Sequence, residues 1–178
     1  MIFNETKLKG AFIIEVEKRE DHRGYFTRTF CADEFKKYEL AFEFVQGNMS
    51  HTLKQNTIRG MHYQMNGAEE VKLVRCTKGS ILDVIVDLRK GSSSYGQYIS
   101  VELSEDNLKQ IYVPREFAHG FLTLTDHVEV SYLVSAFYSP GKEKGIRWDD
   151  PFFDIKWPTD NPILSEKDAS FDNYKRIS

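Results

Sequence analysis

The segment Ile58-Arg59-Gly60-Met61-His62-Tyr63-Gln64 packs a cation, a titratable imidazole and a phenol into one strand-like stretch. An imidazole changes charge near neutral pH, so His62 is a candidate general base, although a lone histidine in a strand is more often a hydrogen-bonded structural residue. Strict alternation would put Arg59 and His62 on opposite faces. A shared site therefore requires a bulge or twist near Gly60, where the missing Cβ lets another group approach the backbone. In Val71-Lys72-Leu73-Val74-Arg75, Lys72 shares its face with Val74 and Cys76. A lysine on an apolar face is costly to bury without a partner or a function, though at a strand end it can also snorkel to solvent. Tyr132, on the apolar side of its segment, reads either as a core tyrosine with a satisfied hydroxyl or as a functional one. His119, within Tyr112 to Phe121, is either a second imidazole of the site or a residue that stabilises a turn.

Two histidines in a strand-rich chain raise the question of a metal. The residue two beyond His62 is Gln64, and no histidine neighbours His119. A mononuclear site built on these two would still need further ligands. A bound catalytic metal is therefore not expected.

The elements that must position these residues are short. Turn chemistry recurs along the chain at Asp21-His22-Arg23-Gly24, Lys78-Gly79-Ser80 and Lys90-Gly91-Ser92-Ser93-Ser94. Between such turns lie segments of period-two alternation. In Leu82 to Leu88 the apolar Leu82, Val84, Val86 and Leu88 oppose Asp83 and Asp87; in Gln97 to Leu103, Ile99, Val101 and Leu103 oppose Tyr98, Ser100 and Glu102. Val128, Val130, Tyr132 and Val134 share one face. Many short strands with regular turns predict an all-β sandwich or barrel. Helix is scarce: Ala32 to Tyr38 opens with acids and closes with lysines, the order that the helix dipole favours, and a second short helix can follow Ser165.

With 178 residues, the chain suits one domain, residues 1–178, without repeat or linker. Its 24 basic and 27 acidic residues are interspersed, giving a net charge of −3 and no bulk attraction to nucleic acid or an anionic membrane. An anionic partner must then be held by a local cluster of Arg and Lys. Cys31 and Cys76 stand in no metal or redox spacing and read as reduced thiols. The first residues lack a signal-peptide pattern, and no apolar run approaches the ~20 residues of a membrane span. A cytoplasmic location is expected.

Taken together, these residues resemble the deoxythymidine-diphosphate (dTDP)-4-dehydrorhamnose 3,5-epimerases of the cupin superfamily, over essentially the whole length. The matching pieces run in order: Asp21 to Phe26, Gln46 to Ser50, Arg59 to Gln64, Lys72 to Arg75, Val86 to Arg89, Val113 to Phe121, Gly145 to Pro151 and Leu164 to Asp168. The resemblance implies a double-stranded β-helix (jelly roll) with short peripheral helices. It also implies a homodimer that exchanges N-terminal strands, with no metal or cofactor. The implied activity is epimerisation of a nucleotide-diphosphate-linked 4-keto-6-deoxy sugar, in deoxysugar and cell-surface polysaccharide biosynthesis.

The resemblance further assigns roles. His62 resembles the general base and Asp168 its orienter; Tyr132 resembles the acid on the opposite face and Lys72 the stabiliser of the enolate oxygen. Arg23 and Arg59 resemble diphosphate ligands, while Gln46, Asn48 and Tyr138 resemble nucleotide contacts. His119 is expected near the sugar, and Phe26 and Lys167, within the matched segments, are expected to contact substrate. His62 and Asp168 are expected within hydrogen-bond reach, with Lys72 and Tyr132 lining the same cavity. Several positions depart from the family pattern: Arg28 replaces an acidic residue, Gly47 and Met49 flank Asn48, and Glu69-Glu70-Val71 precedes Lys72. These bear on the nucleotide, so a single-carbon epimerase of a CDP- or other NDP-linked sugar is the first alternative. A 3,4-ketoisomerase and a non-catalytic sugar-nucleotide-binding cupin follow it.

Overall fold

The alternating segments become two antiparallel sheets packed face to face. In the computed structural model, which describes residues 1–175, the chain begins with strands β1 (Ile2–Glu5) and β2 (Phe12–Glu15). A hairpin of β3 (Arg19–Asp21) and β4 (Gly24–Phe26) follows, then helix α1 (Ala32–Lys37). The body comprises β5 (Gln46–Thr52), β6 (Ile58–Gln64), β7 (Lys72–Lys78), β8 (Ser80–Asp87) and β9 (Tyr98–Ser104). It continues through β10 (Gln110–Val113), β11 (Phe117–Thr123), β12 (Val128–Val134) and β13 (Glu143–Gly145). Helix α2 (Glu166–Ala169) lies near the end. One sheet has the order β1-β2-β10-β7-β12-β5, the other β13-β6-β11-β8-β9, and the β3–β4 hairpin stands apart from both.

Consecutive strands repeatedly fall in opposite sheets: β5 and β6, then β11 and β12. This alternation winds the chain as a jelly roll, as expected. Val74, Cys76, Ile81, Ile85, Ile111, Phe121, Val128 and Val130 form the core between the sheets. The outer face of the first sheet is covered by Phe35 of α1 and by Leu40, over Phe3, Phe12, Ile14 and Leu73. The outer face of the second is covered by Ile146, Phe153 and Ile155, over Met61, Val84, Val86 and Ala118.

That second covering alters the reading of β8. Ile81 and Ile85 face the inter-sheet core, whereas Val84 and Val86 pack outward beneath the C-terminal segment. Asp83 and Asp87, which oppose the apolar residues as expected, are fully buried. A strand covered on both faces leaves no solvated side, so its acids must find internal partners. Both helices form where expected. Ser165 caps α2, its Oγ accepting from the Asp168 N–H at 3.0 Å. Cys31 and Cys76 are free thiols.

Candidate active site

The irregularity that the sequence demanded is present between β6 and β11. His119 lies opposite His62 and Phe121 opposite Arg59, so three steps on β6 span two on β11. The extra residue turns Arg59 and His62 to the same side, and both line one cavity. Two glycines permit this. A Cβ on Gly60, whose φ is +135°, would stand 2.5 Å from Gly120 Cα, and one on Gly120 would stand 2.7 Å from Met61 Sδ. No side chain fits at either place.

His62 Nε2 is 2.7 Å from Asp168 Oδ1. The other carboxylate oxygen of Asp168 accepts the Gly60 N–H at 3.3 Å. Burial by itself would raise the Asp168 carboxyl. The hydrogen bond and charge of His62, with the Gly60 N–H, outweigh it and hold the group below the usual carboxylate range. An ionised Asp168 keeps a hydrogen on Nε2 and leaves the lone pair on the other ring nitrogen.

The chain around Asp168 is fastened on both sides. Upstream, Thr57 and Ile163 form a parallel bridge, in which Ile163 N–H donates to Asn56 at 2.7 Å and Ile58 N–H to Ile163 at 3.0 Å. Downstream, the Phe171 ring meets His62 edge-on at 5.9 Å and occupies the place of a side chain at Gly145, where a Cβ would lie 2.1 Å from it. Tyr174 then donates its backbone N–H to buried Asp150 and pairs its hydroxyl with that of Tyr95 at 3.0 Å.

Lys72 and Tyr132 approach from the other sheet. Lys72 opens β7, is ion-paired with Glu70, and carries its Nζ 6.0 Å from the Tyr132 ring centre. Burial, followed by the charge of Glu70, pushes the Tyr132 phenol up, so it stays protonated at neutral pH. His119 is buried against Asp83, Nε2 to Oδ2 at 2.8 Å. The second oxygen of Asp83 has no partner among the described residues, and burial pushes its carboxyl up against the pull of His119.

Arg59, His62, Lys72, His119, Tyr132 and Asp168 all line a cavity of about 440 Å3, which Lys167 also borders. A neighbouring cavity of about 270 Å3 shares His62, Lys72 and Tyr132 and adds Gln46, Asn48, Tyr138 and Glu143. Local bonds pre-set these walls. Arg59 Nε donates to Thr52 Oγ1 at 2.8 Å, and Gln46 Nε2 donates to Asn48 Oδ1 at 2.8 Å. Lys167 Nζ and the Tyr138 hydroxyl both donate to Glu143, at 2.6 and 3.3 Å.

Two expected contacts stand elsewhere. Arg23, with 78% of its side chain exposed, is paired among the described residues with Asp21, and Phe26 is 67% exposed. Both belong to the β3–β4 hairpin, and neither lines either cavity. Conversely, Glu70, Asp83 and Glu143 were given no part in the site from the sequence. Their signals were an acid two residues ahead of a buried lysine and an acid inside an apolar strand; Glu143 offered none. Among the described residues, no three His, Cys, Asp or Glu side chains are grouped to hold a metal ion.

A jelly roll that brings an imidazole–carboxylate pair, an ammonium and a phenol to one cavity is built for proton transfer on a bound ligand; its class is the cupin-type sugar epimerase. The chain belongs to the dTDP-4-dehydrorhamnose 3,5-epimerase family, whose model matches residues 5–176. It is 44% identical to the dTDP-4-dehydrorhamnose 3,5-epimerase of Methanothermobacter thermautotrophicus, covering 95% of this chain and 92% of that protein. It is 42% identical to the enzyme of the same name from Sinorhizobium fredii, over 96% of this chain and 88% of that one. Its structure is similar to that of the Bacillus anthracis enzyme solved with TDP and PPi bound. There the TM-score is 0.94 at 39% identity, over 97% of this chain and 99% of that chain.

Proposed function

We propose that this protein inverts the carbons flanking the C4 ketone of a dTDP-linked 4-keto-6-deoxy sugar, by proton abstraction through an enolate. One observation carries the reading: the His62–Asp168 pair and the Tyr132 hydroxyl come from opposite sheets to one cavity that also holds the Lys72 ammonium. Hydrogens beside a ketone are only weakly acidic, so removing one takes a placed base and a stabilised enolate. The free ring nitrogen of His62 takes the proton from carbon, and the electron pair moves onto the C4 oxygen. Asp168 orients the ring and stabilises the imidazolium that forms. Lys72 meets the developing oxyanion; one preorganised donor of this kind is worth ~3 kcal/mol. Tyr132 then delivers a proton to the opposite face of the same carbon, and the enolate returns to ketone with inverted configuration. C3 and C5 both flank C4, so the same pair serves both positions if the ring turns.

Arg59 suits one side of the diphosphate, through charge-assisted contacts. Gln46, Asn48 and Tyr138 line the neighbouring cavity and suit the nucleoside, with Lys167 bridging the two. His119 suits a sugar hydroxyl. The protein acts as a homodimer in this reading, because Arg23 and Phe26, outside their own chain's cavities, can reach substrate only from a hairpin lent by a second copy. Neither nucleic acid nor membrane is a partner, and the protein works in the cytoplasm. In support, the interspersed charges offer no basic face, and among the described residues no helix is long and apolar enough to cross a membrane.

The test is proton NMR in deuterated buffer with dTDP-4-keto-6-deoxyglucose. Deuterium entering at C3 and C5, and lost with His62→Ala, supports the reading. Exchange at one carbon alone makes the protein a single-carbon epimerase. No exchange with either the dTDP- or the CDP-linked sugar removes the proposed reaction.

A further inference from the structure

Two residues ahead of Lys72 stands a carboxylate that the mechanism leaves unused. Glu70 lies outside β7, yet its side chain is 9% exposed and ion-paired with Lys72. Its Oε2 accepts from Gln64 Nε2 at 3.1 Å. Gln64, buried at the end of β6, is itself anchored, because its Oε1 accepts the Ser139 N–H at 2.9 Å. One oxygen of Glu70 thus holds the lysine and the other is held by a fixed amide.

We propose that Glu70 is a positioning residue, which fixes the Lys72 ammonium on the wall of the cavities that His62 and Tyr132 also line. The inference rests on the role given to Lys72 above. A lysine stem has four rotatable carbons and does not place its charge unaided. A carboxylate buried beside it restrains that freedom, so the oxyanion meets a cation already in place. The expense is attraction between Glu70 and the ammonium, which the oxyanion must share. With both Glu70 oxygens already bonded, the carboxylate is held to one side and leaves Nζ other donors for the substrate.

Glu70 also acts on the acid. The charged or titratable groups that line the two cavities with Tyr132 are Glu70 and Lys72 at β7, Arg59, His62 and Tyr63 on β6, His119 on β11, Tyr138 ahead of β13 and Glu143 on it, and Lys167 and Asp168 on α2. After burial, Glu70 is the largest influence keeping the phenol protonated; Glu143 acts in the same direction and Arg59 against it. Removing the Glu70 charge should let the phenol lose its proton at lower pH.

The experiment measures kcat and KM of the full chain from neutral to alkaline pH, with the NMR exchange assay, for Glu70→Gln, Glu70→Asp and Lys72→Met. Glu70→Gln is expected to lower kcat about tenfold, to leave KM within about threefold, and to move the alkaline limb of kcat about one unit downward, a unit being tenfold in proton affinity. Glu70→Asp restores the charge on a shorter stem, so the limb returns to its original place while kcat stays about tenfold low. A Glu70→Gln enzyme whose limb superposes on the unsubstituted one overturns the inference, as does Glu70→Asp with undiminished kcat, which also decides the matter if Glu70→Gln does not fold. Lys72→Met tells the two failures apart. If it keeps full activity, the role of Lys72 falls and the inference with it; if it is inactive while the Glu70 variants behave as the unsubstituted enzyme, only the inference falls.

Discussion

Two histidine–carboxylate pairs face one cavity from directly opposed positions on β6 and β11. They are equal in composition and unequal in surroundings. The His62 side chain is 30% exposed, and its partner Asp168 also accepts a backbone N–H; the His119 side chain is 10% exposed, and its partner Asp83 has an oxygen with no partner among the described residues. The carboxyl of the first pair is held below the ordinary range and that of the second is pushed above it. The difference teaches that the depth of burial, set against the histidine and the further donors around the carboxylate, decides whether such a pair is a standing anion backing a reachable base. A third acid sharpens the point. Asp87 lies four residues along the same strand as Asp83 and is equally buried. Burial raises it too, but Arg89, Ser92 and Ser94 overcome this and take it down to about 2.

The comparison breaks most plainly at the histidines. His62→Ala should cut deuterium incorporation by about 10³-fold, the middle of the range for a positioned base, while dTDP binding measured by calorimetry changes little. His119→Ala should lose no more than about tenfold; equal losses from the two would abolish the distinction. Next in size, Asp168→Asn should cost about 10²-fold in kcat, because an amide neither fixes the imidazole tautomer nor stabilises the imidazolium.

Stability supplies two smaller tests. A carboxyl lowered to about 2 by folding contributes stability above its unfolded value near 4, which is lost as pH falls through the folded value. Asp87 should thus account for about 2 kcal/mol of the stability lost between those values. Urea unfolding of Asp87→Asn along a pH series should show that acid loss flattened. For Asp83 the sign is reversed: a raised carboxyl favours folding below its unfolded value and opposes it as pH rises. Asp83→Asn, neutral and able to keep the His119 hydrogen bond, should therefore raise the melting temperature at neutral pH, whereas Asp168→Asn should lower it. Each effect should be about 1 kcal/mol, and shifts of the same sign would contradict the contrast.

Much of this could be read from the sequence, because alternation and turn chemistry act locally. The segment Val128 to Val134 forms a strand with those bounds, Ala32 opens a helix, and the need for a bulge beside Gly60 followed from counting faces. The approach of Asp168 to His62 is different. It spans 106 residues, and only the family resemblance indicated it. The partners of Lys72 and His119 escaped for a further reason. Glu70 lies outside any periodic segment, and Asp83 falls in an alternation that reads as a half-solvated strand. Asp83 shares the inward face of Ile81 and Ile85, between the sheets, while the apolar Val84 and Val86 turn outward beneath the later residues Ile146, Phe153 and Ile155. The hairpin carrying Arg23 and Phe26 shows a third limit, since the turn at Asp21 to Gly24 specifies a hairpin but not what it rests against.

The late position of Asp168 has a consequence for how the protein comes into being. On the ribosome, β6 through β12 can pair before Ile163 to Asp168, which complete the cavity wall, have emerged. A nascent chain at that stage would hold its imidazole without the partner carboxylate, and with the seat beside Gly145 still vacant. Competence arrives only when Phe171 closes over β13 and the carboxylate comes to rest against a base made more than a hundred residues earlier.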